Sequence, residues 1–280
     1  ITLIIVGKGV QEGMEKWVGN AMPVFVILLV VLVTKSLSLP TAPTALRFLF
    51  YPDFSRLTAY SMLDALGHVF FTLSVGFGTM VTFGSYLNEQ THLPSAGFRV
   101  TVMDTMISLF AGLLIFPLLA GSNVTEASPE LLFQTLPKLL HGLDNGFLFG
   151  LAFFVCLYLA ALGASIGLLE SVVANVLDTT KLSRLKATWM VGAVAFLLST
   201  LPSLSTSALR DVRFRGQGLL ELLDGLLIDI MLPLAALGLA LGVAKRLSRE
   251  RLESEFVNDD SIATKKLFSH WIFALRWFAP

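Results

Sequence analysis

Gly67-His68-Val69-Phe70-Phe71-Thr72-Leu73-Ser74-Val75-Gly76-Phe77-Gly78 lies in the middle of a run that carries no charge from Ala65 to Asn88. That run is long enough to cross the ~30 Å hydrocarbon core of a bilayer as a helix. Its centre is poorly suited to being one. Two glycines stand near mid-membrane with Thr72 and Ser74 just before them, and glycine in a helix interior is less favourable than alanine by up to about 1 kcal/mol. Backbone freed by unwinding in lipid must face protein, water or a ligand. Two readings follow. The small residues allow close helix packing, or the helix is discontinuous and its free carbonyls and half-helix ends hold ions and a polar solute.

The surrounding composition is that of a multi-spanning all-α membrane protein. Of 280 residues 55% are hydrophobic and 14% charged, against about 25% charged in soluble domains; mean hydropathy is +0.76. This excludes disorder, and a single cysteine, Cys156, excludes a disulfide scaffold. Twenty basic residues balance twenty acidic ones, which removes the electrostatic case for nucleic-acid binding. Apolar stretches predict one transmembrane domain over 1–280, with spans at 17–39, 61–88, 100–121, 145–177, 187–207 and 218–244, and a truncated seventh at 267–280.

Lys and Arg between the spans number twelve on one side and seven on the other. The richer side is expected to be cytoplasmic, so the first span runs from inside to outside. One span precedes the interrupted one and four complete spans follow it. A five-plus-five inverted repeat would place a matching broken helix upstream. The chain also opens without Met inside the apolar run Ile1 to Val6, and it reads as a fragment lacking N-terminal helices.

The residues from Gly9 to Pro280 resemble the neurotransmitter:sodium symporter family, in particular its bacterial amino-acid transporters of the leucine-transporter fold. Residues 67–78 look like the family's unwound sixth helix, followed in register by Ser85-Tyr86. Gly13 and Pro23, separated by nine residues, resemble the Gly-X9-Pro motif of the fifth helix. Tyr51-Pro-Asp-Phe-Ser55, Asp104-Thr105, Phe116-Pro117 and Leu182-Ser183-Arg184 also fall in register. The resemblance implies helices five to ten with the start of the eleventh, and a helix unwound near 74–78. It implies secondary transport of an amino acid or similar small amine by alternating access, coupled to Na+, with no organic cofactor, in a bacterial inner membrane. The expected partners are the substrate and the lipid bilayer.

The pairs His68 and Thr72, and Asp104 and Ser108, are each one helical turn apart and share a face. By resemblance they surround a first sodium site and the adjacent anion site. Thr72 would give its carbonyl and hydroxyl to sodium, and Asp104 a carboxylate oxygen. A carboxylate deep in a bilayer costs several kcal/mol unless a cation or partner offsets it. Asp104 would replace the negative charge that chloride supplies in relatives, which implies chloride independence. His68 stands where the family often has Gln, and a histidine beside a carboxylate is proton-sensitive near neutral pH. Phe71, Thr72, Ser74 and Phe77 match the substrate pocket, with Phe71 as its aromatic lid, and Ala164 and Leu168 would line it from the eighth helix.

The family's second sodium site takes two adjacent hydroxyls where this chain has Gly163 and Ala164. The carbonyl of Ala160 remains, so that site is expected to bind sodium weakly or not at all. Asp224 matches the external-gate carboxylate, and Asp178 with Tyr86 the cytoplasmic gate. Gly13 and Pro23, like Gly76 and Gly78, would locally unwind their helices. No metal spacing, phosphate loop or nucleophile elbow supports an enzyme. The alternatives within the family are proton coupling and a non-transporting, degenerate or regulatory member.

Overall fold

A computed structural model describes residues 1–51, 53–88, 91–120, 133, 135–204, 209, 213–214, 217–256 and 262–277. The described residues are almost wholly helical. α1 (Thr2–Gly7) leads into a wide π-helical turn, Val10–Glu15, and then α2 (Lys16–Leu37) and α3 (Ala42–Phe50). The interrupted stretch gives α4 (Ala59–Thr72) and α5 (Thr79–Ser85), followed by α6 (Leu93–Leu119), α7 (Leu136–His141), α8 (Gly146–Thr179) and α9 (Arg184–Leu204). A two-stranded antiparallel ribbon, Arg213–Phe214 with Gln217–Gly218, precedes α10 (Leu219–Asp224). A second π-helical turn, Gly225–Met231, joins α10 to α11 (Leu232–Arg246); α12 (Arg249–Phe256) and α13 (Ile262–Trp277) complete the series.

Among the described residues, five helical stretches are long and apolar enough to cross a membrane: Val10–Leu37, Leu93–Leu119, Gly146–Thr179, Arg184–Leu204 and Leu219–Arg246. The stretch expected as a span at 61–88, unwound near 74–78, forms two helices, Ala59–Thr72 and Thr79–Ser85, because its centre leaves the helix. At the final stretch α13 begins at Ile262, earlier than 267. Residue 121, residues 205–207 and residues 278–280, at the ends of three expected spans, lie outside the described residues.

The chain gathers into two compact units, Ile1–Leu57 with Met103–Gly167, and Thr58–Val102 with Leu168–Pro280. In the first, Phe25, Leu29, Leu32 and Val33 repeat at helical spacing on α2, so one stripe of it is apolar and buried. That stripe packs with Leu114 and Leu118 of α6, Leu136 and Leu140 of α7, and Phe153 and Cys156 of α8. Lipid tails are as apolar as leucine, so van der Waals packing and interhelical hydrogen bonds hold such a cluster rather than exclusion of water. Two hydroxyls supply those bonds. Ser36, 2% exposed, donates to the Leu114 carbonyl at 2.7 Å. Thr41 donates at 2.6 Å to the Pro117 carbonyl, one of the last four carbonyls of α6, which have no partner within their own helix.

In the second unit, Leu252 and Phe256 of α12 pack on Phe268 and Ile272 of α13. Trp271 lies against both Phe256 and Phe268. His92, just ahead of α6, fastens this hairpin. Its Nε2 donates to the Phe256 carbonyl at 2.8 Å, while Nδ1 and the Ser95 hydroxyl are 2.6 Å apart. Phe256 ends α12, so its carbonyl is another orphan that a side chain satisfies.

Candidate functional site

α4 begins at a reciprocal cap: Thr58 Oγ1 accepts the Ser61 amide at 3.1 Å, and Ser61 Oγ accepts the Thr58 amide at 2.9 Å. Fourteen residues later the ladder fails. The Leu73 amide still reaches Val69, but the Val75 amide reaches back five residues to the Phe70 carbonyl at 2.8 Å. Leu73 to Gly78 belong to no helix, and α5 resumes at Thr79. Ser74, Gly76 and Gly78 take φ of +53°, +97° and +78°. The left-handed region costs a residue with a Cβ about 1–2 kcal/mol, so the two glycines relieve what Ser74 must bear. Of the two readings of residues 67–78, the discontinuous helix is the one the fold adopts.

Gly76 is constrained twice. A Cβ there would stand 2.7 Å from the Leu232 carbonyl oxygen, at the start of α11. At Gly78 no atom lies within 4 Å of such a Cβ, and only its φ calls for glycine. Phe71 and Phe77 flank the non-helical segment and meet edge-on, ring centroids 5.9 Å apart at 70°. Thr72 and Ser74 between them are half-buried, and the Thr72 hydroxyl makes a long 3.3 Å bond to the Val69 carbonyl. The Thr79 hydroxyl, one residue past Gly78, is buried without a hydrogen-bond partner.

The other expected site residues fall as follows. His68 is exposed on α4, in the unit that holds Thr72. Asp104, half-buried, and Ser108, exposed, lie on α6 in the first unit. Ala160 and Ala164 are exposed on α8, also in the first unit, and Leu168 is exposed in the second. A Cβ on Gly163 would make ordinary contact with the Met22 methyl at 3.5 Å. Ser165, the next hydroxyl along, is engaged elsewhere. It donates to the Leu162 carbonyl at 2.9 Å and stands 3.0 Å from the Thr2 hydroxyl. Among the described residues, no three His, Cys, Asp or Glu side chains gather into a metal site.

Pro23 lies inside α2, which runs unbroken from Lys16 to Leu37. The irregularity at this end sits before it, where Gly9 takes φ +94° and Val10–Glu15 forms the wide turn. Gly13 in that turn is buried, and a Cβ there would collide with the Ile5 carbonyl. A cavity of about 360 Å³ opens beside it, lined by Lys8, Glu12, Gly13, Lys16, Trp17 and neighbours.

Asp178 and Asp224 are exposed near the ends of α8 and α10. Tyr86, expected beside Asp178, gives its hydroxyl to Glu170, with Oη 2.6 Å from Oε1. Arg184 Nη2 donates to the other carboxylate oxygen of Glu170 as an ion pair. Glu170 is fully buried, whereas Arg184 keeps 28% of its side chain exposed. The sequence reading assigned Glu170 no role. The signal for it was a lone carboxylate between Asn145 and Leu177 in an otherwise uncharged run, since such a group needs a partner.

Membrane-length helices together with one helix interrupted at its centre define an integral membrane protein of the leucine-transporter fold. The chain belongs to the sodium:neurotransmitter symporter family, whose sequence profile matches residues 1–273. It is 33% identical over its whole length to the sodium-dependent transporter YhdH of Bacillus subtilis (strain 168), covering 62% of that protein. A sodium-dependent transporter of Haemophilus influenzae is 34% identical over 87% of the chain, which covers 54% of that relative. The crystal structure of MhsT in complex with L-phenylalanine superposes with a TM-score of 0.87 at 33% identity, over 100% of this chain and 63% of that one. The chain thus spans between 54% and 63% of the length of these three proteins.

Proposed function

We propose that the protein is a secondary active symporter that moves an amino acid across the cell membrane together with sodium, by alternating access. The broken helix carries this reading. Leu73 to Gly78 offer backbone outside any helical ladder at mid-stretch, and the Phe71–Phe77 edge pair borders that backbone with an apolar wall. Half-helix ends and unwound carbonyls suit a zwitterion and a hard cation, because each carries charge that fixed dipoles can meet without a side-chain countercharge. The similarity to MhsT, solved with L-phenylalanine, supports an amino-acid substrate.

In this reading Thr72 and Asp104 hold one sodium. Asp104 supplies the fixed negative charge beside His68 and Ser108, so transport runs without chloride. The second sodium position, with Ala160, Gly163 and Ala164, lacks side-chain oxygens, and the nearby Ser165 hydroxyl already bonds to Leu162 and Thr2. Coupling therefore rests on one sodium. Asp224 and Asp178 act as gate carboxylates.

The test is amino-acid uptake by the full-length protein in proteoliposomes, with sodium, potassium or a pH gradient as the only variable. Uptake should require sodium, proceed without chloride and be abolished by Asp104→Ala. Uptake driven by protons and indifferent to sodium would transfer the coupling to Asp104 and His68. No uptake under any gradient, over a broad amino-acid panel, would mark a non-transporting member.

A further inference from the structure

The helical stretch from Leu219 to Arg246 contains an irregularity with a cause in the sequence. Pro233 has no amide hydrogen and its ring presses on the carbonyl four residues before it, so the α-helical ladder cannot be continuous there. The chain responds by widening. Gly225–Met231 forms a π-helical turn, and the α-helix restarts at Leu232 with Pro233 in its first turn. A π-helical turn holds one more residue than an α-helical one. Tightening it shifts everything on one side by one position, a rotation of about 100° and a translation of about 1.5 Å.

The two sides of this turn are held very differently. On the far side Leu232 and Ala236 are 4% and 8% exposed. Gly76 of the unwound segment rests on them: its hypothetical Cβ would be 2.7 Å from the Leu232 carbonyl and 3.2 Å from the Ala236 amide nitrogen. α4 packs against both the wide turn and α11. On the near side α10 has no buried residue, and Glu221 and Asp224 are exposed. One end is therefore anchored against the unwound segment by buried residues, while the other, α10, meets α9 and the ribbon without burying any residue of its own.

We propose that Gly225–Met231 is a register hinge, anchored through Leu232 on Gly76, which tightens when substrate seats on the unwound segment and so rotates α10 with its carboxylate Asp224. The inference rests on the reading of residues 71–78 as the substrate site and of Asp224 as a gate carboxylate. It adds the route between them: a ligand that moves Gly76 bears on the Leu232 backbone directly, with no side chain of Gly76 to absorb the motion.

The test places single cysteines at positions 219 to 224 of the full-length protein and follows labelling by a water-soluble thiol reagent. Cys156, the one cysteine of the chain, is buried. Without substrate the reactive stripe should include 221 and 224. With sodium and the transported amino acid it should move by one position along the chain. A stripe unchanged while amino-acid binding is measured on the same samples overturns the hinge.

Two further arms keep the proposal exposed. Deleting Leu227 removes the extra residue, so the shifted stripe should persist with or without substrate and transport should be lost. A deletion protein that still transports with a substrate-dependent stripe refutes the hinge. Gly76→Ala pushes on Leu232 with no ligand present and should shift the stripe in sodium-free buffer. That arm needs no substrate, so absence of amino-acid binding by the unmodified protein counts against the proposed function, while the Gly76→Ala stripe still decides the hinge.

Discussion

Replacing Glu170 tests the buried network most directly. Its carboxylate has no exposed surface, accepts the Tyr86 hydroxyl at 2.6 Å and pairs with Arg184. Removing one partner of a buried ion pair typically costs about 3–5 kcal/mol, because the survivor is left uncompensated. Arg184 retains 28% exposure and can turn its guanidinium toward water, which puts Glu170→Ala near the lower end, about 3 kcal/mol. Glu170→Gln keeps the shape and an acceptor for Tyr86, so it should cost about 1–2 kcal/mol. Tyr86→Phe removes one hydrogen bond to a charged group, again about 1.5–3 kcal/mol. The assay is thermal unfolding of the purified full-length protein in one detergent, as a double-mutant cycle of Glu170→Ala with Arg184→Ala. If the pair holds α8 to the start of α9, the double variant should be less destabilised than the two single variants added together, by well over the ~0.5 kcal/mol within which independent sites add. Additivity within that margin would refute the reasoning.

The unwound segment yields a comparison between two glycines. Gly78→Ala meets only the left-handed φ and should cost about 1–2 kcal/mol, whereas Gly76→Ala adds the collision with Leu232; equal losses of stability and of amino-acid affinity would contradict the described packing. Thr79→Val removes a buried hydroxyl that has no partner, so the melting temperature should rise, in keeping with the ~1–3 kcal/mol cost of an unsatisfied buried polar group. A fall in stability would show that the hydroxyl is bonded in the working protein. Asp104→Asn takes away the fixed negative charge proposed for the anion position, and sodium-driven uptake, measured with and without chloride, should become chloride-dependent. Uptake that stays chloride-independent in this variant would remove Asp104 from that role.

Much of the fold was legible because the signals are local. Twenty or more apolar residues in lipid have few options besides a helix, and Leu93–Leu119, Gly146–Thr179 and Arg184–Leu204 form long helices. The interruption at Leu73 to Gly78 was legible for the same reason: two glycines in an apolar run lower the cost of leaving the helix just where no side chain needs the ladder. Gly13 and Pro23 were a harder case. The expectation of unwinding drew on both, yet α2 runs straight through Pro23 and the wide turn lies at Val10–Glu15. A proline removes one hydrogen bond, and neighbouring packing decides whether the helix bends, widens or continues.

The sequence by itself determined that this chain lies in a membrane as helices, that one helix is broken at its centre, and which family its motifs belong to. Each of these follows from residues close together along the chain, where hydropathy and backbone preference act without outside help. Only the tertiary structure decided that Glu170 is the buried partner of Tyr86 and Arg184. It alone set Gly76 on the first turn of α11 and brought the Ser165 hydroxyl within 3.0 Å of the Thr2 hydroxyl. Those contacts join residues far apart in the chain, and a side chain's partner is fixed by which helix faces arrive beside it.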